Sequence, residues 1–177
     1  MFFSGAHRLG LLLAVARGRA GGLLVCVSLV CLFAWATPAR AAGGSWNRAW
    51  GQGVNGGSNF GICTVAVHCR RGSGGGLGGA INLAQGDATD AAGNVYVADA
   101  DNNRIQEFDS KGHWLRAWGK GVNGGTKFGI CTVAAHCLAG SKGGLGGAMF
   151  SPRGVATDTA GNVDVADGAN NRIQKFR

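Results

Sequence analysis

The sequence predicts an all-β fold built from two copies of one repeat, and three observations support that prediction. The segment that begins at Arg48 recurs at Arg116, and the segment that begins at Ala88 recurs at Ala156, so the period is 68 residues throughout. About 70% of the aligned positions are identical. Short apolar stretches alternate with turns rich in Asp, Asn and Gly, and no helical period follows the N-terminal region.

Each copy is predicted to contain four short strands joined by tight turns. The turn that begins at Asp158 contains Gly161, which can adopt the positive φ that such a turn requires. Asn102 and Asn103 are expected to hydrogen-bond their own backbone in the next loop. Four strands that meander in this way form one blade of a β-propeller. The first predicted strand is residues 154–158, read from the second copy. The other three are residues 95–99, 104–108 and 114–118, read from the first copy and the strand that follows it.

A glycine-rich segment accompanies the strands in each copy, at residues 51–79 and 119–147, and is predicted to be irregular. Its run Gly74–Gly79 has the composition of a phosphate-binding loop, but it follows no predicted strand and opens no helix. We therefore expect a flexible insertion that binds no cofactor.

The run from Phe150 to Phe176 resembles the NHL repeat, and the first copy matches the same pattern from Gly93 to Gln106. The resemblance implies a β-propeller, often six-bladed, that binds proteins or other ligands, and some members of the family are enzymes. Structural roles are expected for the signature residues, which are Asp90, Gly93, Asn94, Asp99, Asn103 and Arg104 in the first copy and Asp158, Gly161, Asn162, Asp167, Asn171 and Arg172 in the second.

The two copies depart from the repeat pattern at different places. The second copy has Asp164 where the first has Tyr96. We therefore expect weaker packing at a different point in each blade. The first copy departs at Asn82, Ala84 and Asp87, where the second has Phe150, Pro152 and Val155.

Residues 1–41 are predicted to be a secretory signal peptide. A basic start without acids is followed by an apolar run from Gly21 to Ala36 and by the small-x-small sequence Ala39-Arg40-Ala41. An uncleaved membrane anchor is the alternative, but the apolar run is shorter than the roughly 20 residues that span a bilayer. We expect cleavage after Ala41, no stable membrane anchor afterwards, and a secreted or cell-envelope location, as in a bacterial exported protein.

The rest of the chain is predicted to divide into two parts. Residues 42–117 comprise the last strand of a missing blade, a glycine- and cysteine-rich insertion and the first NHL-like blade. Residues 118–177 comprise the second insertion and a blade that lacks its last strand. Two blades form an incomplete propeller, because closed propellers use roughly four to eight. We expect the mature chain to close a ring as a homo-oligomer, and truncation of a longer repeat array is the alternative.

The charge of the chain argues against a nucleic-acid partner. The formal net charge is +8, from 17 basic and 9 acidic residues. Nucleic-acid-binding proteins concentrate basic residues on one face, whereas here Arg70-Arg71 is the only basic pair. Cleavage of the signal peptide would lower the net charge to +4, since it removes Arg8, Arg17, Arg19 and Arg40 and no acid.

Cysteine spacing predicts a disulfide within each copy, because an even number of cysteines remains after cleavage and export leads to an oxidising compartment. Zinc binding with His68 or His136 is an alternative, but each copy offers three ligands whereas structural zinc usually takes four. Free thiols are the remaining alternative. The expected pairs are Cys63 with Cys69 and Cys131 with Cys137.

Tryptophan and arginine alternate along one face of a predicted strand in each copy, so that an Arg could stack between two indoles and form a platform for a ligand. Packing on the outer strand of a blade is the alternative. The six residues are Trp46, Arg48 and Trp50 in the first group and Trp114, Arg116 and Trp118 in the second.

The run from Asp99 to Asn103 faintly matches the start of a calcium loop but lacks its later glycine and acid, so we expect a turn and no metal. We predict no catalytic residues, because no Ser, Cys or acidic pair has a partner that breaks the repeat symmetry.

The sequence therefore predicts an exported, non-enzymatic binding or protein-interaction scaffold for a protein or other extracellular ligand. The alternatives are a propeller lyase or hydrolase with its site in a central channel, and a fragment without independent function.

Overall fold

The computed structural model describes residues 45–177 as a succession of short antiparallel strands, so the all-β fold class is confirmed. Three short 3-10 turns accompany the strands, and in this part of the chain no helix has the length and apolar composition to cross a membrane. The predicted signal peptide lies outside the described residues. The strands are β1 Ala49–Gln52, β2 Phe60–Cys63, β3 Ala84–Thr89, β4 Val95–Asp99, β5 Arg104–Phe108, β6 Trp114–Lys120, β7 Phe128–Cys131, β8 Pro152–Thr157, β9 Val163–Asp167 and β10 Arg172–Phe176.

The strands form three antiparallel sheets. Strands β1 and β2 form a hairpin, which we call the N-terminal hairpin. Strands β3 to β7 follow one another in a five-stranded sheet, which we call blade 1, and β8 to β10 form a three-stranded sheet, blade 2. The 68-residue period relates β3, β4 and β5 to β8, β9 and β10, and it relates β1 and β2 to the end of β6 and to β7.

The glycine-rich segments differ from the prediction, because each contains a strand. In the second segment β7 pairs with β6 and places Ile130 opposite Trp118, which gives blade 1 a fifth strand. In the first segment β2 pairs with β1 in the same register. The predicted outer strands also shift: β1 begins at Ala49 rather than at Trp46, and β6 extends to Lys120, across the expected boundary between residues 117 and 118.

Each repeat turns sharply at an aspartate whose carboxylate accepts backbone hydrogen bonds. Asp158 accepts the N–H groups of Ala160 and Asn162, and Gly161 has the predicted positive φ, +81°. The Asn162 side chain also donates to this carboxylate and holds its pKa well below the usual range. These hydrogen bonds explain why an Asp-x-x-Gly-Asn sequence ends one strand and begins the next.

Blades 1 and 2 pack face to face around a shared apolar core. Their inner strands adjoin closely: the Thr157 hydroxyl donates to the Thr89 carbonyl at 2.9 Å. A Cβ on Gly86 would lie 2.6 Å from the Arg153 carbonyl oxygen, so glycine is required at this contact. The core comprises Tyr96, Ala98, Ile105 and Trp118 from blade 1, Val155, Val163, Val165 and Phe176 from blade 2, and Met149 from the segment before it.

The expected weak points in packing lie outside this shared core. Tyr96 and Val155 both contribute to the core, whereas their repeat equivalents, Asp164 and Asp87, lie on the outward sides of the two blades. Asp164 forms an ion pair with Lys175 at 2.9 Å, and Asp87 is exposed. The two blades therefore present apolar residues to each other. On the opposite face of each blade, the repeat equivalent of one of these core residues is an aspartate.

The N-terminal hairpin packs on blade 1 in the way that the end of β6 and β7 pack on blade 2. The ring centroids of Trp50 and Phe108 lie 6.3 Å apart, and those of the equivalent pair Trp118 and Phe176 lie 6.1 Å apart. Phe60 stacks on Phe108 at 6.1 Å, as Phe128 stacks on Phe176 at 5.9 Å. The hairpin therefore occupies the position of a preceding blade's outer strands.

Candidate binding surface

Two signature residues, Asp99 and Arg104, form a fully buried ion pair. They lie opposite each other at the end of the β4–β5 pair, with Arg104 Nε 2.7 Å from Asp99 Oδ2 and both side chains 0% exposed. Burial raises the pKa of the Asp99 carboxyl, and the Arg104 guanidinium opposes that shift. A buried charge pair of this kind is stable only when its other polar atoms are also hydrogen-bonded.

Arg104 meets that requirement with all five of its N–H donors. Besides Asp99, the guanidinium donates to carbonyls of both glycine-rich segments, so one side chain ties the two segments together. The first segment is thus held in place by a residue of the sheet, and the expectation of a flexible insertion is wrong. The four carbonyl acceptors are those of Gly76, Leu77, Ala80 and Leu138, the last three at 2.8, 2.8 and 2.9 Å.

Neighbouring amide side chains complete the hydrogen bonding of Asp99. Gln106 donates to this carboxylate at 2.9 Å and also to the Ala80 carbonyl. Asn102 donates to Asp99 and to the Gly75 carbonyl, rather than to its own loop as expected. Asn103, in contrast, adopts a left-handed conformation with φ +47° and reaches the Asp101 carbonyl at 3.4 Å. The polar signature residues of blade 1 thus fix the glycine-rich backbone.

Blade 2 repeats this arrangement with one contact fewer. Arg172 Nε lies 2.9 Å from Asp167, and the guanidinium donates to the carbonyls of Gly144, Leu145 and Ala148. No residue described in the structure takes the place of Leu138, so one donor of Arg172 has no protein acceptor and its side chain is 29% exposed.

The cysteines pair within each copy, as the sequence predicts. Cys63 is bonded to Cys69 and Cys131 to Cys137, with Cα atoms 5.6 and 5.7 Å apart. Each disulfide closes a loop around a 3-10 turn, and Trp114 packs on the second disulfide. Within residues 45–177, no group of three His, Cys, Asp or Glu side chains is placed to hold a metal ion.

The tryptophans and arginines expected to form a platform are dispersed. Trp118 is buried between the blades, and the Trp114 indole N–H donates to Gln106 Oε1 at 2.8 Å. Arg116 lies 5.6 Å from the Trp118 ring centroid and forms an ion pair with Glu107 at 2.5 Å. A ligand therefore cannot reach both indoles of this group.

The first group is dispersed in the same way. Trp50 packs on Phe108, and Arg48 donates to the Lys111 carbonyl at 2.9 Å. Trp46 is 48% exposed, so of these three side chains it is the one with a large solvent-exposed apolar surface.

Three exposed apolar residues lie instead where the second disulfide loop meets the first glycine-rich segment. The Gly78 N–H donates to the Ala134 carbonyl at 2.9 Å, which joins the two segments at this point. Leu77, Val133 and Leu138 are 45%, 52% and 51% exposed here, and we call these three side chains the loop surface. The sequence placed all three in irregular segments, and their juxtaposition depends on hydrogen bonds between residues far apart in the chain.

Replacement of Arg104 by Ala should lower the free energy of unfolding by about 3–5 kcal/mol, because it leaves Asp99 buried without a cation. The same change at Arg172, which is partly exposed, should cost less and serves as the matched control. Urea unfolding followed by tryptophan fluorescence measures both. Equal losses of stability in the two variants would contradict the role of Arg104 in holding the two glycine-rich segments together.

Removal of a disulfide should destabilise the protein by about 2–3 kcal/mol, because each bond closes a short loop. The larger loss is expected for Cys131→Ser with Cys137→Ser, since both cysteines are buried and support Trp114. The matched variant carries Cys63→Ser with Cys69→Ser. Non-reducing peptide mapping should find each pair within its own copy, and cross-copy pairs would contradict the structure.

Of the two blades, blade 2 matches a known protein family. Residues 151–176 match the family model of the NHL repeat, and this range covers β8 to β10 and the Asp167–Arg172 pair. Comparison with curated proteins finds no match. Strands β3 to β5 of blade 1 have the same order 68 residues earlier, with the equivalent Asp99–Arg104 ion pair and the same turns. The chain therefore contains an NHL repeat at residues 151–176, as the sequence pattern predicts.

Proposed function

We propose that the protein is an exported, non-enzymatic scaffold that binds another protein through the loop surface. The observation that carries this proposal is the exposure of Leu77, Val133 and Leu138 at one junction of the fold. Contiguous exposed apolar patches mark interaction sites, and we infer that these three side chains form one. The NHL repeat favours the same class of function.

The rigidity of the backbone beneath the loop surface supports a binding role. Arg104 holds the carbonyls of Leu77 and Leu138, and the Cys131–Cys137 disulfide closes the loop that carries Val133. A partner therefore meets side chains whose backbone is already ordered, and binding loses less conformational entropy. The complementary surface on the partner would be apolar, with donors or acceptors at its rim.

The two disulfides support export. Disulfides persist in secreted and periplasmic proteins and are rare in the cytosol. Export also agrees with the predicted signal peptide at residues 1–41.

The secreted protein should begin at Ala42 when its mass is measured, because the small-x-small sequence ends at Ala41. An Ala41→Arg variant should be retained or cleaved elsewhere, since a bulky cation does not fit the small-residue requirement. A Gly44→Arg variant adds the same charge beyond the cleavage site, so it is the matched control and should still be exported. A full-length chain in the cytoplasm would overturn the export proposal.

A photo-crosslinking residue at position 138 should capture a protein partner in the producing cells, because Leu138 lies in the loop surface. The same residue at position 115 is the control, since Leu115 is also exposed but lies on β6. Val133→Asp should abolish capture from position 138 without unfolding the protein. Identical products from positions 138 and 115, or capture that survives Val133→Asp, would contradict the proposed surface.

A further inference from the structure

Strand β7 forms the outer edge of blade 1, and β2 forms the same edge of the N-terminal hairpin. Each is the last strand in the order of its sheet. After β7 the chain enters the disulfide loop and returns to the inner strand β8, just as it passes from β2 to β3 one repeat earlier. No strand among residues 45–177 lies beyond either edge, so the open edge belongs to the interior of each repeat.

The backbone of β7 directs polar groups away from β6 at two residues. Gly121 donates its N–H to the Lys127 carbonyl at 2.9 Å, which fixes the alternation of hydrogen bonds along the hairpin. In the register that follows, Phe128 and Ile130 occupy the non-hydrogen-bonded positions, so their N–H and C=O groups point to the open edge. Within the described part of the chain, no other residue hydrogen-bonds to these groups.

The first copy repeats this geometry on β2. Gly53 donates its N–H to the Asn59 carbonyl at 2.8 Å, and Phe60 and Ile62 lie at the outward positions. The two copies thus present the same row of backbone donors and acceptors. Unpaired groups of this kind are a template for a further strand.

Neither edge carries the features with which proteins usually prevent strand addition. Those features are charged side chains, proline and β-bulges. The Phe-Gly-Ile-Cys sequence of both strands has no charge and no proline, and β7 pairs with β6 without a register shift. Beyond the end of β7, Val133 is also extended, with φ −114° and ψ 101°. The edge therefore leads directly to Val133 of the loop surface.

We propose that an extended segment of the partner protein pairs with the open edge of β7; this inference rests on the protein-binding role proposed above for the loop surface. Every strand pair in the structure is antiparallel, and the segment follows the same rule. It therefore runs from Val133, beside its N-terminal end, to Phe128, beside its C-terminal end. Backbone hydrogen bonds supply the affinity of such a contact, and alternate side chains supply its selectivity.

The two ends of the edge differ in chemistry and so define the segment. The end beside Val133 adjoins the apolar loop surface and favours apolar side chains. At the other end Lys127 precedes Phe128 and Lys120 lies opposite it. Neither lysine forms an ion pair with any residue that the structure describes. The segment therefore begins with apolar residues and ends with an acidic residue or a free carboxyl terminus.

The first copy provides an internal control for these charges. Gln52 and Asn59 take the places of Lys120 and Lys127, while the edge sequence is identical. The edge of β2 should therefore bind the same segment more weakly than the edge of β7.

Nuclear magnetic resonance of the ¹⁵N-labelled secreted protein, titrated with the peptide acetyl-Leu-Thr-Val-Thr-Val-Glu, tests the proposal. Binding should slow hydrogen exchange at the amides of Phe128 and Ile130, because a hydrogen-bonded amide is protected. The amides of Phe60 and Ile62 should be less protected at the same peptide concentration. A peptide with methyl groups on its backbone nitrogens should not bind, since it cannot donate to the edge.

Variants of the protein test the same contact from the other side. Ile130→Pro removes an outward N–H but keeps the pairing with β6, because proline is tolerated where the N–H of an edge strand faces solvent. It should abolish protection of the Phe128 amide by the peptide, whereas Ile130→Val should not. Lys127→Glu should weaken peptide binding by up to about fivefold, the effect of one exposed ion pair. Urea unfolding checks that each variant is folded.

Exchange at Phe128 and Ile130 that is unchanged by millimolar peptide, or protection of Phe128 that survives Ile130→Pro, would overturn strand addition. Photo-crosslinking from position 138 separates this outcome from failure of the loop surface. Capture that is kept in Ile130→Val but lost in Ile130→Pro supports the paired segment. Capture that is equal in both variants but lost in Val133→Asp leaves the loop surface standing and rules out the role of the edge. Capture that survives Val133→Asp contradicts the loop surface itself.

Discussion

A guanidinium buried beside a carboxylate, Arg104 with Asp99, is the contact on which the surrounding structure depends. Removal of two charges from water costs several kcal/mol per ion, and their attraction offsets that cost only if every remaining donor is satisfied. The donors of Arg104 are satisfied by four backbone carbonyls of the glycine-rich segments. The sheet therefore imposes a conformation on segments whose own composition favours none, and the loop surface depends on that conformation.

The period of the sequence was sufficient to predict the blades but not the additional strands. Strands β4 and β5 occur at the predicted residues, because each is a short apolar run between Asx and Gly turns. The disulfides followed from the spacing and even number of the cysteines. Strands β2 and β7 were missed because Phe-Gly-Ile-Cys is too short and too glycine-rich to signal a strand. Pairing with β1 and β6 stabilises these two strands, which their own sequences favour only weakly.

The side-chain roles of the site were harder to predict for a related reason. Alternation along β6 placed Trp114, Arg116 and Trp118 on one face, but it could not show that Trp118 would be covered by the next blade. In the same way, Leu77 and Leu138 are 61 positions apart, and nothing in their local sequences joins them. Contacts that depend on the stacking of one blade on another are set by tertiary structure, and a local pattern does not contain them.

The contact between Arg104 and the Leu138 carbonyl also sets an order of assembly as the chain grows. Residues 84–120 include the first four strands of blade 1, but the last acceptor of its arginine comes from residue 138. Until that residue has been synthesised, the guanidinium keeps one donor without its native partner. Blade 1 therefore becomes complete only after the second glycine-rich segment has emerged, so neighbouring repeats mature as overlapping units rather than one after another.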